Sequence, residues 1–579
     1  MSRFSRRGFL AGAAALGAVA LAPRAAAASA GGADATDTPA FAHSVASGDP
    51  LPDAVVLWTR VTPTPDATPG SGRGEPTTVR WEITSSENSS ADFSGALSGT
   101  VSTDASTDHT VKVDVTGLAP ATDYAYRFTV LDGPAAGAVS RTGRARTAPA
   151  PGADPRNLRF GVCSCANYEA GYFRAYRDMA DRPDLEFTLH LGDFTYEYAT
   201  GEYGGAYDTT VRRVQPPNRT VTLADYRIRQ GFYHQDGDLA DLLAVRPLIA
   251  IWDDHEFADN SWRDGVTGNS FEPGDDFAAM KEAATQAYLE WMPVRGLPLQ
   301  RHLRFGTLAE FIIPDLRSFR DEQQEIPAAW QGGSGSDAPD RTMMGRSQAD
   351  WFTDVLTTSD TRWQLIGNEV MFVPMTLPNT LDPRIHDWLV NQVGLPSDGL
   401  ALNADQWDGY MAERQRIIDV IAGGSGNADG SGGSGTGAAK PGVVFLTGDI
   451  HSSWAADIPA HAGDWSTRRN RRAVATEFVV PSVSAASAFD GIASSPALKE
   501  PVLAALGAGE SVITQVDDWF RYVDLTRHGY MAVDVTAERV QADWHHGDVL
   551  TPDAPLTWST SFMAVHGSPG AVPAPGRLG

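Results

Sequence analysis

From about residue 41 to residue 147 the chain reads as short segments cut by turns. The apolar segment 55–61 follows a Gly48-Asp49-Pro50 turn, and segments 78–83 and 111–115 alternate apolar and polar positions. Alternation with period two places one face of each segment in a core, which predicts β-strands. Beyond residue 155 the pattern changes. Runs at 158–162, 187–191, 247–252, 363–366 and 443–447 are continuously apolar, with helical segments between them. Such runs predict strands covered on both faces, and therefore a layered α/β domain.

The change of texture sets the expected boundaries: a β-sandwich over 38–150, a Pro/Ala/Gly-rich connection at 148–155, and a second domain over 155–560. Within the first, the stretch from Gly117 to Phe128 resembles the corner of a fibronectin-type or Ig-like sandwich, where a tyrosine returns its hydroxyl to the backbone. The Gly/Ser-rich stretch 423–437 is expected to be a surface loop, and the Gly/Pro/Ala-rich tail 566–579 to be frayed. Residues 1–30 carry Ser5-Arg6-Arg7-Gly8-Phe9-Leu10, an Ala-rich stretch and small residues at Ala28-Ser29-Ala30. This is the pattern of a signal peptide read by the twin-arginine translocase, so the mature protein is expected outside the cytoplasm, in the cell envelope or secreted. No later run of about 18 apolar residues predicts a membrane span.

Acidic residues outnumber basic ones by 72 to 46, a formal net charge of −26. That argues against a nucleic-acid-binding surface, which would need a basic stripe. A phosphorylated substrate remains compatible, provided that local cations attract it.

Each of the five apolar runs ends in side chains capable of chemistry. Cys165 follows the first, and Gly192-Asp193-Phe194-Thr195-Tyr196 the second. Asp253-Asp254-His255-Glu256 follows the third, Gly367-Asn368-Glu369 the fourth, and Gly448-Asp449-Ile450-His451 the fifth. Open α/β sheets place sites at the C-terminal ends of strands. One such cluster is an ordinary turn; five in succession point to a centre. The residue types suit two metal ions. Cys165, Tyr196 and His451 match a strongly Lewis-acidic iron, Asp193 can bridge, and Asp254 and Asp449 offer hard oxygens for Ca²⁺, Mg²⁺ or Mn²⁺.

The stretches Ser44-Val45-Ala46-Ser47-Gly48-Asp49-Pro50, Cys165-Ala166-Asn167-Tyr168, Leu223-Ala224-Asp225-Tyr226-Arg227-Ile228-Arg229, Trp252-Asp253-Asp254-His255-Glu256, Trp407-Asp408-Gly409-Tyr410 and Gly448-Asp449-Ile450-His451-Ser452 resemble the PhoD family of alkaline phosphatases, among the purple-acid-phosphatase-like metallophosphoesterases. The resemblance implies Fe³⁺ held by Cys165, Asp193, Tyr196 and His451, and a Ca²⁺-type site on Asp193, Asp254 and Asp449. It also implies His255 near the leaving group, Asn368 near the centre, and hydrolysis of phosphate mono- and/or diesters by metal-bound hydroxide. A secreted phospholipase D on the same scaffold, or a non-catalytic adhesion module, are the competing readings.

Other candidates read more plainly. Asp253 is expected to cap or orient, and Glu256 to support a ligand. Arg227 and Arg229 either meet phosphate or form salt bridges on an exposed helix face. Asp315, Arg317 and Arg320 read as a buried structural ion-pair network, and His545 and His546 as surface histidines. Cys163 and Cys165, two apart at a strand end, are too far apart for an unstrained disulfide. Cys163 is then a small buried hydrophobe.

Overall fold

The computed structural model describes residues 39–85, 93–204, 210–268, 270–325, 328–378, 380–424, 439–487 and 499–579. The expected leader, 1–30, and all but the start of the expected loop 423–437 lie outside them.

All five apolar runs form strands, β1 (Asn157–Cys163), β2 (Thr188–Leu191), β3 (Leu248–Ile251), β4 (Trp363–Asn368) and β5 (Val443–Thr447). They divide between two sheets. β1, β2 and β3 are parallel neighbours in a ten-stranded sheet, with Val162 opposite Leu189 and Leu189 opposite Ile249. β4 and β5 are parallel neighbours in a seven-stranded sheet, with Ile366 opposite Phe445.

The sheets pack face to face. Phe160, Leu189 and Ile249 from one share a buried core with Phe311, Leu365 and Val444 from the other. Indole N–H groups stitch the layers where they meet: Trp363 donates to the Thr536 carbonyl and Trp544 to that of Val479. A second core, including Phe352, Ile417 and Phe445, lies under the helices Arg346–Thr358 and Met411–Ile421. This burial on both faces explains why the five runs are continuously apolar.

The N-terminal strands form two facing layers around Val55, Leu57, Val111, Tyr126 and Phe128. One layer is a four-stranded sheet of Leu97–Thr103, Thr77–Ser85, Asp123–Val130 and Gly143–Arg146. The other is not separate: Val45–Gly48 pairs with β3, Gly48 lying opposite Leu248, so this layer continues the ten-stranded sheet. The Tyr124 hydroxyl accepts the Ala119 N–H at 2.8 Å, the local geometry expected at that corner.

The tail corrects its expectation. Ser568–Pro573 pairs with Thr557–Val565 at the edge of the ten-stranded sheet, and the Leu578 N–H donates to Asp543. Backbone pairing is blind to side chains, and an edge strand tolerates the Gly and Pro that made this segment look frayed.

Candidate metal centre

The strand ends of both sheets converge, and close backbone approach is what allows it. A Cβ on Gly192 would lie 2.3 Å from the Cβ of Asp253, and one on Gly448 would lie 3.0 Å from the Ser164 side chain. After these turns Cys165, Asp193, Asp449 and His451 all have positive φ, between 54° and 62°. Left-handed backbone at four non-glycine positions is strain stored at a functional site. It also amends the cysteine geometry. Cys163 is the last residue of β1, whereas Cys165 has already turned out of the strand; both are buried free thiols.

Three groups of possible metal-binding atoms lie within 4.8 Å of one another: Cys165, Asp193 and His451; Asp193, Asp254 and His255; and Asp253, Asp254 and Asp449. Asp193 and Asp254 each belong to two groups. The Tyr196 hydroxyl donates to Asp193 Oδ2 at 2.9 Å and lies 3.2 Å from His451 Nε2. His451 Nδ1 is 2.8 Å from the Ala486 carbonyl, which fixes the proton on Nδ1 and turns Nε2 into the centre. Burial first, then the Asp193 carboxylate, holds the Cys165 thiol and the Tyr196 phenol well above their usual pKa.

The other side of the centre is acidic. Arg317 is fully buried and reaches Asp253 through Nε, Asp405 at 3.1 Å and Asp449 at 3.0 Å, with Asp254 at 3.6 Å. Arg320 adds a bond to Asp405 at 2.8 Å. The pair is buried, as its sequence context suggested, but Arg317 belongs to the centre itself. Asp315 stands apart: its carboxylate caps the turn by accepting the Arg317 and Ser318 N–H groups. Gln406 donates to Asp449 Oδ2 at 2.5 Å. Asp253 sits within the third group, beyond the orienting role expected of it.

Buried carboxylates at Asp253, Asp254, Asp405 and Asp449 thus gather around two guanidiniums, with that of Asp193 next to Asp254. A buried excess of negative charge is costly unless cations balance it. The thiol, phenol, imidazole and carboxylate donors also match transition-metal and hard-cation chemistry. The residues fit bound metal.

His255 lies between the two sides. Its Nδ1 is 2.8 Å from Glu197, its ring stacks on Tyr196 at 4.2 Å, and its backbone N–H donates to Asp193 Oδ1. Burial opposes its charge, but Asp254 and Glu197 prevail and hold its pKa well above the usual histidine value. Glu256 accepts the backbone N–H groups of Asp253, Asp193 and Phe194, tying the β2 and β3 loops together. Its pKa is pushed up to about 8, by burial and then by Asp193.

Asn368 stands next to the turn that carries Asp449, its carbonyl accepting the Gly448 N–H, but its side chain is already engaged. Its amide donates to the Val370 carbonyl and Thr447 and accepts from Trp407, so it braces β4 against β5 with no donor left for a phosphoryl group. Arg229 is buried, not exposed, and binds the carbonyls of Tyr196, Tyr198 and Gln215, pinning the Tyr196 loop. Arg227 forms the expected salt bridge, with Glu290, but it is buried too. His546 is buried between Ser453 and Ser559, and half-buried His545 stacks on Tyr530. Glu197, one residue past Tyr196, went unread although its position beside a ligand offered the signal.

The PhoD-like phosphatase family model matches residues 160–544, and the PhoD-like phosphatase N-terminal domain model matches residues 25–149. Alkaline phosphatase D of Bacillus subtilis (strain 168) is 33% identical over 431 residues, which is 72% of this chain. The alignment spans 65% of that relative, short of two thirds of its length. A solved structure of PhoD has a TM-score of 0.73 at 28% identity, covering 95% of this chain and 94% of that one.

Proposed function

The chain belongs to the PhoD-like phosphatase family, and on that premise we propose that it is a metal-dependent hydrolase of phosphate mono- and/or diesters, of the alkaline phosphatase D type. The observation that carries this reading is the sharing of Asp193 and Asp254 between adjoining groups of possible ligands. Cys165, Asp193, Tyr196 and His451 would hold Fe³⁺; Asp193, Asp254 and Asp449 would hold Ca²⁺, Mn²⁺ or Mg²⁺. Bound cations supply an activated water and neutralise charge on the phosphoryl oxygens.

The chain's own residues do the rest. Glu197 occupies His255 Nδ1, leaving Nε2 as the nitrogen able to give a proton to the leaving oxygen. Arg317 and Gln406 orient Asp449 from its two oxygens. Glu256 holds the β2 and β3 loops at one spacing, and Arg229 anchors the segment that presents Tyr196.

Export by the twin-arginine translocase, to the cell envelope or beyond it, belongs to the same reading and is supported by Ser5-Arg6-Arg7-Gly8-Phe9-Leu10. Fibronectin-like character of the N-terminal strands is supported by the Tyr124–Ala119 bond. The test is metal analysis of the purified mature protein alongside turnover of a phosphomonoester and a phosphodiester. Metal-free protein with full turnover would overturn the reading.

A further inference from the structure

Between β4 and the helix Met411–Ile421 the chain makes an excursion away from the centre. It leaves through Thr376–Leu377, forms the helix Pro383–Trp388 with a further turn, Leu389–Val393, and returns through Leu400–Ala401, which pairs with Thr376–Leu377. The inner side of this strap is polar and anchored. His386 is buried with Nε2 3.0 Å from the Ser397 carbonyl, and Asp398 pairs with Arg414.

Its outer side is apolar and faces water. Leu381 is 66% exposed, Ile385 51%, Trp388 58% and Val393 50%. Ile385 and Trp388 stand three apart on the helix, the spacing of one stripe, and Leu381 lies just before its N-cap, Asp382. That periodicity ordinarily turns toward a core, and here it turns outward. A contiguous exposed apolar patch of this kind marks an interaction surface.

The neighbouring segment says what the surface meets. Arg468-Arg469-Asn470-Arg471-Arg472 is exposed at every position and carries four arginines, in a chain whose net charge is −26. Arg469 bonds the strap directly, through the Asp387 carboxylate and the Pro383 carbonyl. Arg471 pairs with Asp518, whereas Arg468 and Arg472 pair with no carboxylate among the described residues. The face therefore joins an exposed tryptophan, an aliphatic stripe and uncompensated arginines. An amphipathic helix with these parts lies in the interface of an anionic membrane. The rest of this acidic molecule would be repelled by such a surface, which selects the approach.

We propose that the strap residues 380–401, together with Arg468–Arg472, are a docking surface for anionic lipid bilayers. The return strand of the strap runs on to Asp405 and Gln406, which bond Arg317 and Asp449. The surface stands apart from the metal centre, so the phosphoesterase reading can fail without it.

Co-sedimentation of the full-length mature protein with vesicles tests the proposal. Vesicles of phosphatidylcholine with phosphatidylglycerol should capture the protein, pure phosphatidylcholine should capture little, and added salt should release it. Ile385→Ser with Trp388→Ser, and separately Arg468→Glu with Arg472→Glu, should each weaken capture by at least about tenfold. Turnover of a soluble phosphomonoester should stay unchanged in both variants. Three results would overturn the proposal: no capture of the wild type by anionic vesicles, capture that neither double variant weakens, or a dimer in light scattering that both variants split. The last would make this face an interface between copies of the chain.

Discussion

The two sides of the centre solve the same problem differently. On the Cys165 side two donors keep their protons until a metal displaces them, the thiol and phenol being held well above their usual pKa, and the imidazole turns Nε2 toward them. On the Asp449 side the donors are carboxylates, and a buried guanidinium stands among them as a resident cation. The first side is electrically quiet without metal but must release protons to bind it. On the second side burial likewise raises the Asp253 carboxyl well above its usual pKa, against the pull of Arg317, and an incoming ion must share the carboxylates with that guanidinium.

Asp193 and Asp254 join the sides, so the sharpest break is at the join. Asp193→Ala should empty both sites and lower turnover by more than about 10³-fold, measured together by metal stoichiometry and rate. Loss of one metal alone would show that the sides are independent. Breaking only the first side comes next. Cys165→Ala should lose iron while Cys163→Ala keeps it, and Tyr196→Phe should abolish any visible phenolate-to-iron colour. A Cys163–Cys165 disulfide in active protein, seen by non-reducing mass spectrometry, would remove the thiolate from the set.

His255→Ala should keep the metals and lower turnover by about 10²–10⁴-fold. Because His255 also lies in a group with Asp193 and Asp254, metal loss in this variant would make it a ligand. Arg317→Met breaks the second side without touching the first. It should destabilise metal-free protein by about 3–5 kcal/mol, with much of that restored by a divalent cation, read as a wider gap between thermal midpoints with and without metal. The smallest effect is in pH. A thiol whose pKa is raised keeps its proton until the pH rises through that value, so iron uptake should improve as pH increases, by up to about tenfold per unit for one proton released.

The sequence exposed the scaffold of this centre more fully than its wiring. Five apolar runs ending in side chains capable of chemistry were legible because burial on two faces leaves an unmistakable pattern, and Asp193, Asp254, Asp449 and His451 come together in adjoining groups. Arg317 was not legible as a neighbour of Asp449, because 132 residues separate them and nothing local marks the contact. The Ala486 carbonyl that sets the His451 proton is a backbone group, so no side-chain motif could announce it. Asn368 misled for the opposite reason: a polar residue at a strand end looks available until its hydrogen bonds are counted. Composition likewise suggested a loose tail where backbone pairing makes an edge strand.

The ordering of strands around β1 bears on how the protein comes into being. β1 leads into Cys165, yet its neighbours are β2 on one side and His528–Thr536 on the other, with Leu158 opposite Val535. A ribosome delivers Cys165, Asp193 and Asp254 hundreds of residues before the strand that clamps β1 in place. Pairings that span so much chain form late and slowly. A centre completed only by that strand is expected to take up cations as a finished polypeptide, not a nascent one.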